Sequence, residues 1–97
     1  MIYIVDIDGT ICHTYNSDYE NSYPLYIHIE KINRLFEDGH TIIYWTARGM
    51  NSGKDHTELT KKQLIEWGCK FHEIRMNKPV YDVWIDDKAI EAVEFFV

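Results

Sequence analysis

Ile2-Tyr3-Ile4-Val5-Asp6-Ile7-Asp8-Gly9-Thr10 is a short apolar run that closes on two carboxylates two residues apart. Side chains on a strand alternate faces, so residues at that spacing project to the same side. A strand that ends near Asp6 presents both acids at its carboxyl edge, where open α/β sheets place their ligands. Gly9 then allows a sharp backbone turn that a Cβ would resist. Two acids forced together repel, so a cation or a shared proton has to accompany them. The plain alternative is an exposed acidic turn.

Working outward from this stretch, the apolar runs alternate in type, which predicts a mainly parallel sheet covered by helices. Residues 1–7 read as a first, wholly buried strand. Ile29, Ile32 and Phe36 recur at helical spacing across residues 26–38, and Gly39 suits the helix end. Residues 41–45 are β-branched and aromatic, a second buried strand. Residues 55–67 read as a second helix, with Asp55 and Glu58 as a capping box, Leu59, Gln63 and Trp67 on one face, and Gly68 at its end. Residues 70–75 make a weaker third strand. Residues 80–85 make a fourth, running straight into Asp86-Asp87, and the apolar tail after a turn at 88–92 suits a small fifth strand. The polar, tyrosine-rich stretch 11–24 and the stretch 49–54 each follow a strand, so both are expected to border one crevice.

The chain has 97 residues, 45% of them apolar and 14% aromatic, enough for one domain with its own core. No run of about 18 apolar residues is present, and no charged-then-apolar leader, so neither a membrane span nor a signal peptide is expected. Cys12 and Cys69 stand apart, without metal-ligand spacing, and read as reduced thiols of a cytoplasmic protein. A net charge of −6 argues against a nucleic-acid partner, which calls for a basic stripe. Four of the negative charges are Asp6, Asp8, Asp86 and Asp87.

Four predicted strand ends deliver polar groups to one edge: Asp6 and Asp8, then Thr46-Ala47-Arg48, then Lys78, then Asp86-Asp87. In that order they resemble the four motifs of the haloacid dehalogenase (HAD) superfamily of phosphohydrolases, and the resemblance spans nearly the whole chain. The wording Trp45-Thr46-Ala47-Arg48 with Asn77-Lys78-Pro79 and Ile85-Asp86-Asp87-Lys88-Ala89-Ile90 is similar to a small capless subgroup. That likeness implies a single Rossmann-like three-layer α/β domain over residues 1–97, with a sheet of four to five strands and no cap domain.

The resemblance also implies roles. Asp6 is the expected nucleophile, taking the phosphoryl group as an aspartyl-phosphate. Asp8 is the expected general acid and base. Mg²⁺ is the expected cofactor, held by a carboxylate of Asp6, the backbone carbonyl of Asp8 and a carboxylate of Asp86, favoured over Asp87, with water filling the remainder. Thr46 is expected to bond a phosphoryl oxygen and Lys78 to offset charge. Gly9, Thr10, Ala47 and Arg48 are the expected substrate contacts. Arg48 stays open between a bidentate anion ligand and a surface salt bridge.

Other readings stand beside these. Asp86-Asp87 also suits a helix N-cap pair. The tyrosines at 15, 19, 23 and 26 either stack on a sugar or base or pack their loop down. His13 and His56 fall in the crevice loops. The segments between motifs are used up by single loops, helices and strands, leaving no room for a cap. An open site then needs a large substrate or a wall from a homo-oligomer. The expected activity is a Mg²⁺-dependent phosphatase acting on a small phosphorylated substrate, a sugar phosphate ahead of a nucleotide. A polynucleotide-end phosphatase, a receiver-like phospho-acceptor domain and a noncatalytic partner protein are the rivals.

Overall fold

The computed structural model describes residues 1–97. Its chain order is β1 (Ile2–Val5), β2 (Cys12–His13), a 3₁₀ turn at Tyr19–Asn21, β3 (Tyr23–Pro24), α1 (Tyr26–Glu37), β4 (Thr41–Trp45), α2 (Thr57–Glu66), β5 (Glu73–Arg75) and α3 (Ala92–Phe95). The main sheet is parallel in the order β1-β4-β5, and β2 and β3 form a separate antiparallel pair. This is an α/β domain with a three-stranded parallel sheet and three helices.

The β-branched and aromatic run of β4 takes the central place, paired on both sides. Ile42 and Tyr44 are fully buried and share the core with Ile29 and Ile32 of α1 and Leu64 of α2. Each isoleucine removed from water this way contributes about 1.5–3 kcal/mol. Both long helices stop the same way. Gly39 and Gly68 take positive φ (93° and 75°) just past the helix ends. The amide of Gly39 donates to the Phe36 carbonyl and that of His40 to Leu35, while Gly68 donates to Ile65 and Cys69 to Leu64. These paired bonds satisfy carbonyls that a helix end leaves open.

The sheet positions the site through its register. Val5 pairs with Tyr44, and Trp45 with Arg75, so the strands finish side by side. Asp6, Thr46 and Met76 therefore leave the sheet at one edge. The Thr46 amide donates to the Arg75 carbonyl at 3.0 Å, and the Lys78 amide donates to the Thr46 carbonyl at 3.0 Å. Those bonds extend the alignment past the last strand residues.

Four expectations need correction. β1 is an edge strand, not a wholly buried one: Ile2 is 70% and Ile4 56% exposed because no strand lies beyond it. The fourth strand at 80–85 does not form, so the sheet has three strands rather than four to five. Val80, Val83 and Ile85 are exposed, and the Trp84 ring meets Tyr81 and Trp45 edge-on instead of joining a ladder. The tail forms α3 rather than a fifth strand. Phe96 stacks on His28 with centroids 4.0 Å apart, and Lys31 lies over the Phe95 ring at 4.3 Å. The proposed capping box on α2 is replaced by Asp55, whose carboxylate accepts the Thr57 amide at 2.9 Å.

Candidate functional site

After Val5 the backbone turns through Gly9, at φ 80°. The amides of Thr10 and Ile11 both donate to the Ile7 carbonyl, and Gly9 donates to Cys12. This folds Thr10 back so that its hydroxyl lies 3.4 Å from Asp6 Oδ2. Lys78 Nζ stands 3.5 Å from Asp6 Oδ1, with the rings of Tyr81 and Trp84 at 5.4 and 5.8 Å from the amine. Thr46 is buried, and its Oγ1 accepts the Arg48 amide at 3.1 Å. The O–H of Thr46 is left free to donate. Asp6, Thr10, Thr46 and Lys78 are thus brought to one sheet edge.

Asp8 faces a different partner. Arg48 Nε donates to its Oδ2 at 2.9 Å and Arg48 Nη2 to its Oδ1 at 2.8 Å, a two-pronged pair. Thr14 Oγ1 donates to Oδ1 at 2.6 Å, and the Cys12 thiol approaches the same atom at 3.5 Å. Burial works to lift the Asp8 carboxyl, but Arg48, Thr14 and Cys12 outweigh it and hold it below the usual carboxylate range. Burial, followed by the charge of Asp8, pushes the Cys12 thiol up to about 11.

Arg48 as a substrate contact is a further correction. The residue is 3% exposed, and its remaining donors go to Gln63 Oε1 at 2.6 Å and Thr60 Oγ1 at 3.3 Å. The Tyr19 ring covers the guanidinium at 4.8 Å. No face of it is left for a ligand. Thr14, Thr60 and Gln63 were not anticipated. Gln63 gave one signal, a polar residue on the otherwise apolar face of its helix.

Asp86 and Asp87 share no hydrogen bond or ion pair with Asp6 or Asp8. Both are exposed. The Asp86 carboxylate accepts the Lys88 amide at 2.8 Å and the Trp84 indole N–H at 3.4 Å, a local turn. The amide of Lys88, then the Trp84 indole, lower its pKa. Nowhere do three His, Cys, Asp or Glu side chains gather as a cation site. The Asp86 carboxylate that the resemblance assigns to Mg²⁺ is thus engaged in its own turn, on a segment that forms no strand.

A small cleft of about 200 Å³ opens between the hairpin and the loop after β4, lined by Ser17, Tyr19, Ala47, Gly49, Lys54 and His56. Tyr19 and His56 meet edge-on across it at 5.0 Å. Ala47, the neighbour of Thr46, joins this cleft to the acidic edge.

No family model matches the chain. It is 40% identical over 68 residues to a Bacillus cereus protein named "Putative nucleotidase", a stretch that is 65% of this chain and 34% of that protein. The chain thus spans about a third of that relative's length. A solved crystal structure of a Vibrio cholerae protein superimposes with a TM-score of 0.89 at 28% identity, covering 98% of this chain and 86% of the other. The structural likeness supports the small α/β domain described above. No helix is long and apolar enough to cross a membrane.

Proposed function

We propose that the chain is a phosphatase of HAD type that hydrolyses a phosphate monoester through an aspartyl-phosphate on Asp6. The observation that carries this reading is the pairing of Asp6 with Lys78 beside the free Thr46 hydroxyl at the carboxyl edge of a parallel sheet. The nucleotidase-named relative supports the reaction class.

In the first step an Asp6 carboxylate oxygen attacks phosphorus, and the bond from phosphorus to the ester oxygen breaks. Lys78 offsets charge on the transferred group, and Thr46 donates its O–H to a phosphoryl oxygen. Asp8, a carboxylate at rest, relays a solvent proton to the leaving oxygen and returns to its carboxylate form. In the second step water attacks the aspartyl-phosphate, gives its proton to Asp8, and releases phosphate and free Asp6. The lowered pKa of Asp8 makes it a carboxylate at neutral pH, the form the second step uses. Its Oδ2 accepts only from Arg48 Nε, so one lone pair remains for that proton.

No step here is routed through a metal. Mg²⁺ dependence is a separate proposal. The substrate is a small phosphorylated metabolite, with a sugar phosphate first. A nucleoside monophosphate is the second reading, favoured by the name of the Bacillus cereus relative. Turnover of para-nitrophenyl phosphate, then of phosphosugars, nucleotides and phosphorylated oligonucleotides, by the native chain and by Asp6→Asn tests the proposal. Multiple turnovers lost in Asp6→Asn support it. A stable stoichiometric phosphoprotein overturns it in favour of a phospho-acceptor domain.

A further inference from the structure

We propose that Arg48 is a positioning residue, holding Asp8 in place and tying the hairpin of β2 and β3 to the site without touching substrate. This rests on the phosphatase reading for what Asp8 does, but the tie to the hairpin stands on geometry alone.

Three segments converge on the one guanidinium. Asp8, from the turn after β1, takes two of its N–H groups. Thr60 and Gln63, one turn apart on α2, take the others. Gln63 in turn donates through Nε2 to the Tyr19 carbonyl at 2.5 Å, and the Tyr19 ring lies on the guanidinium. On the far side of Asp8, Thr14 bonds both Asp8 and Ser22, linking the two arms of the hairpin. A cation this enclosed needs a counter-charge, and Asp8 is the carboxylate that supplies it. The planar fork fixes the carboxylate in rotation as well as position, which a lysine ammonium does not do. The other ties of the hairpin are the buried Cys12, whose carbonyl takes the Gly9 amide, and the Tyr19 ring against His56. The β2–β3 ladder is two residues long, and the Leu25 amide bonds the Ile11 carbonyl at its base.

The test compares the native chain with Arg48→Lys and Arg48→Ala. Kinetics on para-nitrophenyl phosphate and hydrogen exchange of the amides at 13–23 are read on each. In Arg48→Lys, kcat falls about a hundredfold, as expected for a reacting group displaced by an ångström, while KM stays near the native value. Guanidinium chloride at low concentration restores part of the activity of Arg48→Ala, and equal sodium chloride does not. Exchange at 13–23 speeds up in both variants. Gln63→Leu, which keeps the Arg48 pair with Asp8, speeds the same amides and serves where Arg48→Ala does not fold.

Native kcat in Arg48→Lys overturns the positioning role, and unchanged exchange at 13–23 overturns the tie. A native chain that hydrolyses no phosphate ester instead ends the phosphatase reading, and the exchange data still decide the tie.

Discussion

Lys78 Nζ lies 3.5 Å from Asp6 Oδ1, although the two residues belong to segments that follow different edge strands of the sheet. The central strand β4 makes this meeting. Its last carbonyl-bearing neighbour, Thr46, receives the Lys78 amide and carries the lysine back across the sheet end.

Lys78→Met is therefore expected to lower kcat by about 10²–10³-fold, the usual cost of losing one charge-stabilising group. Asp6 is partly open to solvent, so the pair contributes less than about 1 kcal/mol to stability. Turnover of para-nitrophenyl phosphate should collapse while the thermal melting curve barely moves. A large fall in melting temperature would mark the lysine as structural.

Thr46 separates into two functions. Its Oγ1 accepts the Arg48 amide, and its O–H, which donates to no group of the protein, is proposed to serve substrate. Thr46→Val should lose both, lowering stability by about 1–3 kcal/mol through the orphaned amide and kcat by about 10²-fold. Thr46→Ser keeps the hydroxyl and should retain most activity in the same assays.

Stability should decline at both ends of the pH scale. The folded pKa of Asp8 is depressed, so its contribution is present above the unfolded value near 3.9 and lost as pH falls through the lower folded value. The thiols run the other way. Burial raises Cys12 to about 11 and Cys69 to about 12, so folding is favoured fully below the free-thiol value of 9.0 and loses that advantage as pH rises toward the folded values. Melting temperatures between pH 2 and 12 check both limbs. Cys12→Ala with Cys69→Ala should flatten the alkaline one.

The Trp84 indole N–H is bonded to Asp86. A Mg²⁺ ion that drew Asp86 toward Asp6 would break that bond and move the indole. Millimolar Mg²⁺ is expected to raise turnover and shift tryptophan emission together, and EDTA to reverse both. Asp86→Asn should abolish the paired response. Turnover indifferent to EDTA would remove the metal from the proposed reaction.

Tyr44 is buried with its hydroxyl unpaired. Burial raises its pKa strongly, and the neighbouring Cys69 thiol adds to that without completing a hydrogen bond. Tyr44→Phe should stabilise the fold by about 1 kcal/mol, read from urea unfolding.

The strong local patterns in the sequence match the structure. The β-branched run of β4 and the helical spacing of Ile29 and Ile32 each bury an unbroken apolar face, and Gly39 and Gly68 end their helices where expected. The edge carrying Asp6, Thr46 and Lys78 was legible because a parallel register lines up strand ends. The hairpin at 12–24 was not, since its two-residue ladder is too short for any period. The fate of Arg48 was hidden for a different reason. Its partners Thr60 and Gln63 lie on a helix whose polar and apolar residues are poorly segregated, and nothing local tells a guanidinium which of several carboxylates it will meet. The run at 80–85 has the apolar content of a strand, yet strand formation also needs a neighbour.

β1 keeps one flank of backbone donors and acceptors free of any partner, beside side chains as greasy as Ile2 and Ile4. Sheet borders of this kind recruit strands from other molecules unless charge or proline wards them off. Neither guards residues 2–5, so crowding sets the terms on which these molecules stay apart. Self-association through that border would grow with concentration and leave the opposite border, at β5, untouched.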